Sequence, residues 1–532
     1  MLGLCLFAST TAQALPSDVL AALTQAGVPK EALSVLITAV PGTKQLAGTT
    51  NSPLPSTPLG GTDSTAHQGS TSLASEGATT STSHDLSGTT ATSSSSLPGH
   101  RTTPTASVHR LSHRADASMN PASVMKLVTT YAALSTLGPD FTWKNRIYID
   151  GTLAPGGVLQ GNLVIRGSGD PKLVLERIEE LFAQVKAKGV REVRGDLILD
   201  RSIFQVPDKN PADFDDEPLR PYNAAPDGLL INFKSLIFTF TPDAANQRVL
   251  IKYEPPISDV TIPTEAPLAS GGCGDWHSHL KADFLTPSKI SFAGRYPASC
   301  GERSWSVAYS APRDYAGRVI HAMWLASGGI LSGKVREDAT PKGARALLTA
   351  PSLPLSAIIA DVNKFSNNVM AQQVFLTLSA QGKRASFEAS KRQLAAWWKK
   401  TLPSISLPVI ENGSGLSRRE RTNAQAITAL LHHAAASPHA EVFANSLSVA
   451  GVDGTVIGMR ARNPLSEALG NAQLKTGTLD SVTALAGYAS GRSGQRYSIV
   501  AIINHPKAQA ARPALDRLVE WTIRDEKTAS AP

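Results

Sequence analysis

A serine three residues ahead of a lysine, in Asn120-Pro121-Ala122-Ser123-Val124-Met125-Lys126, is the pairing in this 532-residue chain best suited to chemistry. Residues i and i+3 share a helix face, so the lysine amine can reach the serine hydroxyl and serve as its base without a histidine. The amine must be unprotonated to do so, and burial favours that form. The flanking residues predict a helix. Asn120 suits the N-cap and Pro121 the first helical position, and apolar residues run all round it to Leu137 before Gly138-Pro139 stops it. That pattern marks a buried central helix with Ser123 in its first turn. A Ser-x-x-Lys tetrapeptide also arises by chance on surface helices. The chemistry therefore depends on whether the chain supplies a second polar cluster and an oxyanion-binding edge.

Two later stretches offer those parts. Lys475-Thr476-Gly477-Thr478 stands at the start of a late sheet. Gly477 lets a backbone or ligand approach the strand edge, the Thr478 amide can face an acyl oxygen, and Lys475 adds positive charge. Ser366-Asn367-Asn368 sets a hydroxyl and an amide where one helix ends and another begins. Alone, the first also reads as a β-turn and the second as an N-cap. Ser118-Met119-Asn120 fits Ser-x-Asn equally well, which shows how little that pattern carries by itself.

The elements that must hold these groups follow from periodicity. A short helix over 18–26 and a strand over 33–40 open the chain, and a partner strand is expected at 107–111. The intervening 41–106 are Ser, Thr and Gly with almost no large apolar residues. They read as a disordered hairpin loop, which closure entropy tolerates cheaply. Beyond the central helix come strands at 161–166 and 193–199, with a helix at 173–188 between them. Residues 231–324 read as mostly β, with both later cysteines. Helices return at 355–364, 369–380, 390–401 and 424–433, then strands at 483–490 and 496–504 and a helix at 513–524. An early strand with late antiparallel strands and a C-terminal helix implies a discontinuous α+β domain whose halves pair in one sheet. The expected division is 15–142 with 350–526 for that domain, 143–236 with 325–349 for an inserted domain, and 237–324 for a nested β domain.

At about 150 residues per domain, the length accommodates roughly two to four domains. The net charge of +8 favours anionic partners, but Lys and Arg are scattered and no aromatic-basic motif accompanies them, so nucleic acid is not an expected partner. An apolar run from Met1 to Ala8 leads to Ala12-Gln13-Ala14, the pattern of a signal peptide cut after Ala14, which implies a periplasmic or otherwise exported protein. The basic segment that should precede such a run is missing, which points to a translation start upstream of Met1. No later apolar stretch is long enough for a transmembrane anchor. Cleavage removes Cys5 and leaves Cys273 and Cys300, an even pair for which a disulfide is expected. His277 and His279 near Cys273 offer a zinc reading. The exported compartment and the lack of a second Cys-x-x-Cys weigh against it.

Taken together and in this order, Ser-x-x-Lys, Ser-x-Asn and Lys-Thr-Gly resemble the motifs of the penicillin-recognising serine acyltransferases and β-lactamases. The 243 positions from Ser123 to Ser366 and 109 from Ser366 to Lys475 resemble the D-alanyl-D-alanine carboxypeptidase/endopeptidase family of penicillin-binding protein 4 type, the low-molecular-mass class C group. So do MNPASVMK at 119–126, GSGDPKL at 167–173, NGSGLSR at 412–418 and AGVDGT at 450–455. Asn367 departs from the Asp the family often has there, and the Ser/Thr-rich insert is not a usual family element.

The resemblance implies a transpeptidase-like α+β fold with a mostly β insertion between the first two motifs. It implies hydrolysis of D-alanyl bonds in peptidoglycan stem peptides and cross-links through an acyl-enzyme. Ser123 would attack with Lys126 as base, and the N–H groups of Ser123 and Thr478 would hold the oxyanion. Ser366 would relay a proton to the leaving amine. Asn368 would bind the peptide backbone, and Lys475, Thr476 and Thr478 the substrate carboxylate, with Gly477 giving access. No metal or organic cofactor is implied, and β-lactam antibiotics should acylate Ser123. A β-lactamase is the rival enzyme, but no acidic deacylation motif of the class A kind is evident. A non-catalytic peptidoglycan-binding scaffold is the rival outside enzymes, and the completeness of all three motifs argues against it. An acidic cluster at Asp213, Asp215, Asp216 and Glu217, near Tyr222, reads as solvated surface rather than as a seat for the ammonium of a diamino acid.

Overall fold

The computed structural model describes residues 14–41, 109–380 and 382–525. The expected signal peptide, apart from Ala14, and the Ser/Thr-rich loop, apart from Pro41, lie outside those residues. The architecture is α+β. A six-stranded sheet joins the two ends of the chain, with Leu33–Ala39 lying between His109–His113 and Arg496–Asn504 and antiparallel to both. Val482–Ser490, Ala472–Leu479 and the two-residue Ser448–Val449 complete it.

Strand alternation assigns the two faces of this sheet. Val500, Ile502, Ala484 and Ala486 share a core with the central helix Lys126–Leu137 and with Leu355–Lys364, Asn368–Thr377 and Ala424–Ala435. Ile499, Ala501, Ile503 and Leu485 face the opposite way and share a second core with Ser17–Gln25 and Arg512–Ile523. A third core belongs to residues between these motifs. It is built on a seven-stranded sheet centred on Lys144–Ala154 and Val158–Arg166, and on a five-stranded one containing Ser235–Asp243, Arg248–Glu254 and Arg303–Ala308.

Several expectations need correction. Ser123 is not in the first turn of an α-helix: Ala122–Met125 form a 3₁₀ turn, and the α-helix begins at Lys126. Ala122 has φ +46°, in the left-handed region, and the Asn120 side chain fixes it, its Oδ1 accepting the Ala122 N–H at 2.9 Å. An α-helix cannot run through a left-handed residue, so it starts later. The strand expected at 193–199 is split into Glu192–Val193 and Leu197–Asp200. The break is at Gly195, where a Cβ would lie 2.6 Å from the Gly161 carbonyl oxygen. The β reading of 231–324 runs over a twelve-residue helix, Tyr315–Ala326, which buries Tyr315, Ala316, Val319, Ile320, Met323 and Trp324.

Cys273 and Cys300 form a disulfide with Cα atoms 4.7 Å apart. His277 stacks on Trp276 with ring centroids 3.9 Å apart. Among the described residues no group of His, Cys, Asp and Glu is arranged to hold a metal ion. The bridge closes a loop whose ends are 27 residues apart. Replacing both cysteines with serine is expected to cost the surrounding β module about 3–4 kcal/mol. Calorimetry should show an earlier transition for that module. The transition of the remaining structure should stay unchanged, because the core around Lys126 is a separate one.

Candidate active site

The turn that carries Ser123 is clamped from three directions. Asn120 exchanges two hydrogen bonds with Asn504 on the last strand: its N–H donates to Asn504 Oδ1 at 2.8 Å, and its carbonyl accepts from Asn504 Nδ2 at 2.9 Å. Its Nδ2 also donates to the Ser417 carbonyl at 2.9 Å. Two glycines let backbones close on the same turn. A Cβ on Gly477 would lie 2.3 Å from the Pro121 carbonyl oxygen, and one on Gly415, at φ +82°, would lie 2.1 Å from that of Ala122. No side chain fits either gap.

Lys126 is 0% exposed. Its Nζ lies 2.9 Å from Ser123 Oγ, 2.6 Å from Asn368 Oδ1 and 2.5 Å from the Ser414 carbonyl oxygen. The Asn368 amide is oriented at its other end, where Nδ2 donates to the Tyr222 carbonyl at 3.1 Å. Two of the three Nζ partners can therefore only accept. A neutral amine has two N–H bonds and one lone pair, so with both hydrogens directed at Asn368 and Ser414 the lone pair faces the Ser123 hydroxyl. Burial pushes the Lys126 amine well below the ordinary lysine range. The charge of Lys475 pushes the same way, and Glu420 opposes it. Ser123 itself is part-exposed and open to substrate.

Lys475 and Ser366 form the second pair. Lys475 is fully buried, and burial brings its amine down to about 7. Its Nζ donates to Ser366 Oγ at 2.8 Å and to the Thr476 carbonyl at 2.7 Å. Ser366 sits at φ +57° just before the helix Asn368–Thr377, and Asn367 is the actual cap, accepting the Met370 N–H at 3.0 Å. The cap therefore falls on the middle residue of the motif, leaving the Ser366 hydroxyl for Lys475. Thr476 Oγ1 meets Thr455 Oγ1 at 2.7 Å, and Thr478 Oγ1 accepts from Arg512 Nη2 at 3.3 Å. The strand Ala472–Leu479 pairs with Ser448–Val449 only at Gln473 and Leu474. From Lys475 onward that edge faces the Ser123 turn.

The structure thus joins Ser123, Lys126 and Asn368 in one set of hydrogen bonds and Ser366 with Lys475 in another, and it sets Thr476, Gly477 and Thr478 along one edge. Cys273 and Cys300 lie with the insertion's core, away from this cluster. The acidic cluster is on a segment tied to the site. Tyr222 donates to Asp215 at 2.8 Å, and Arg418 donates to the Phe214 carbonyl at 3.0 Å while covering its ring. Sequence reasoning missed Ser414, Glu420, Asn504 and Arg512. Ser414 is signalled only by the flanking glycines of the Asn412-Gly413-Ser414-Gly415 turn. Nothing in the sequence singles out the others.

Comparison with known proteins agrees with this geometry. Residues 102–524 match the D-Ala-D-Ala carboxypeptidase 3 (S13) family. A D-alanyl-D-alanine carboxypeptidase from Actinomadura sp. (strain R39) is 28% identical over 401 residues, covering 71% of this chain and 72% of that protein. The D-alanyl-D-alanine carboxypeptidase DacB of Haemophilus influenzae is 25% identical over 398 residues, covering 73% of this chain and 80% of that one. In fold the chain is similar to the crystal structure of penicillin binding protein 4 from Haemophilus influenzae, with a TM-score of 0.63 and 22% identity over 77% of this chain and 93% of that chain. The family match spans all three motifs and the buried serine-lysine pair. The chain therefore belongs to the D-Ala-D-Ala carboxypeptidase 3 (S13) family and is a serine D,D-peptidase of peptidoglycan.

Proposed function

We propose that Ser123 is the nucleophile of this D,D-peptidase and Lys126 its base. The observation that carries this reading is the fixed pair of acceptors on Lys126, Asn368 Oδ1 and the Ser414 carbonyl, which directs its lone pair at Ser123 Oγ. Ser123 Oγ attacks the carbonyl of the penultimate D-alanine as its proton moves to Lys126 Nζ, and the N–H groups of Ser123 and Thr478 hold the oxyanion. Ser366, hydrogen-bonded to Lys475, passes a proton to the leaving amine. Water then releases the acyl group from Ser123. Asn368 keeps one Nδ2 hydrogen for the peptide backbone after donating the other to Tyr222. Lys475, Thr476 and Thr478 receive the substrate carboxylate, and Gly477 allows the approach.

The leaving group is free D-alanine in stem peptides, or a D-alanine-linked diamino acid in cross-links, so carboxypeptidase and endopeptidase activities use the same steps. A β-lactam presents a strained amide to the same serine and acylates it. Export to the periplasm is part of this reading, supported by Ala12-Gln13-Ala14 and the disulfide. No helix among the described residues is long and apolar enough to cross a membrane. The catalytic unit is taken as 15–142 with 350–526, and the insertions as 143–236 with 325–349 and 237–324. The insertions have a core separate from the two on either face of the catalytic sheet, which supports the outer boundary of that division, while the two insertions share one core with each other.

Two measurements test the function. Purified muropeptides, monomeric and cross-linked, should lose terminal D-alanine and be split to monomers on incubation, as read by mass. A labelled penicillin should attach to the peptide containing Ser123. Unchanged muropeptides, or a penicillin that leaves an intact Ser123 unlabelled, would sink the reading. Rapid turnover of a chromogenic cephalosporin would favour a β-lactamase instead.

A further inference from the structure

Beneath the base lies a carboxyl group that the steps above do not use. Glu420 is 0% exposed. Its Oε1 accepts the backbone N–H of Glu411 at 2.8 Å and of Asn412 at 3.3 Å. Asn412 Oδ1 in turn accepts the Ser414 N–H at 2.9 Å and the Ser414 hydroxyl at 2.7 Å, and the Ser414 carbonyl takes a hydrogen from Lys126. A continuous set of bonds thus runs from Glu420 through the 411–415 turn to the amine. Glu420 Oε2 is buried with no hydrogen-bond partner among the described residues. A buried carboxylate oxygen left alone is costly, whereas a protonated one is much less so.

We propose that Glu420 is a positioning residue for Lys126: Oε1 holds the turn that aims the amine, and Oε2 is a proton site electrostatically linked to it, so that Glu420 sets the pH at which acylation begins. The inference rests on the reading of Lys126 as the base. Burial raises the Glu420 carboxyl to about 7. The Glu411 charge adds to the rise, while the N–H donors of Glu411 and Asn412 and the charge of Lys126 oppose it. The groups that bear on the pair are few. Lys475 faces Lys126 from the Lys-Thr-Gly strand, and Glu411, on the turn, is paired with Arg419 and accepts from Ser417. As an anion, Glu420 favours the protonated, inactive form of Lys126. As a neutral acid it does not, so the charge state of each depends on that of the other.

The test is the pH profile of acylation by a labelled penicillin, from pH 5 to 9, for the full-length enzyme, Glu420→Gln and Glu420→Ala. Gln keeps an oxygen for the two N–H groups but can never be anionic. Its plateau should stay within about threefold of wild type, while its acid limb moves to lower pH by about half a unit or more. Ala removes the acceptor as well, and its plateau should fall about tenfold or more at every pH. A Gln profile superimposed on wild type would overturn the linkage, and an Ala plateau equal to wild type would overturn the positioning. A purely structural residue would lower both plateaus and leave the limb in place. If wild type takes no label on Ser123, the reading of the site fails first, and that outcome is separable from either result at Glu420.

Discussion

A Ser123→Ala enzyme is expected to lose D,D-peptidase turnover by about four to six orders of magnitude, the scale seen when a covalent nucleophile is removed. It should also take up no labelled penicillin. Both losses should occur without loss of structure. Ser123 is part-exposed, and among the described residues its hydroxyl bonds to Lys126 alone, so deleting one oxygen leaves the surrounding core intact. The clamps on the turn belong to Asn120, Asn504 and two glycines, none of which is altered. Melting temperature and non-covalent binding of a stem peptide should match wild type. Acylation of the alanine variant at any rate near wild type would place the nucleophile elsewhere.

Lys126→Met should be the next most damaging change. Removing a general base costs about 10²- to 10⁴-fold, and the effect should be on the acylation rate rather than on non-covalent substrate binding. Methionine fills the buried volume, but it leaves Asn368 Oδ1 and the Ser414 carbonyl without the hydrogens they accept now. Some stability should be lost with them, on the order of 1–3 kcal/mol for each unsatisfied group. The pH profile separates this variant from a misfolded one. With Lys126 as the proposed base, only its neutral amine can accept the Ser123 proton, so the wild-type rate should rise with pH through the Lys126 pKa. Because burial has depressed that pKa far below the usual lysine value, the rise should be complete well short of pH 10. The residual rate of the methionine variant should lack that limb. A wild-type-like limb in Lys126→Met would assign it to another group.

How far the molecule can be read from its residues depends on the range of the interaction involved. The approach of Lys126 to Ser123 follows from their three-residue spacing, which both α and 3₁₀ turns satisfy, so the misread helix start did not disturb it. The short apolar runs within Leu33–Ala39 and Arg496–Asn504 announce strands, and their positions at opposite ends of the chain announce a discontinuous sheet. Tyr315–Ala326 was locally legible, with buried residues at helical spacing, but it was absorbed into a stretch dominated by Pro and Gly punctuation. Glu420 was not legible at all. Within Arg418-Arg419-Glu420-Arg421 it looks like one charge in a solvated run, and only the folded turn turns it inward. The proton affinity of Lys126 is likewise set by burial and by Lys475, which is remote in sequence and adjacent in space.

The paired exchange between Asn120 and Asn504 has a temporal side. The Ser123 segment is made early, yet the residue that exchanges hydrogen bonds with its backbone lies 384 positions later. The strand Leu33–Ala39 waits longer still for Arg496–Asn504. Contacts of such separation form last, because the intervening chain must first be made and closed. A chain that ends before Asn504 therefore lacks one of the clamps on the Ser123 turn, with the Ser417 bond and the close packing at Gly415 and Gly477 left to hold it. Full anchoring of the Ser123 turn is therefore complete only once the last strand is in place, and a chain cut before Asn504 should acylate more slowly than the intact protein.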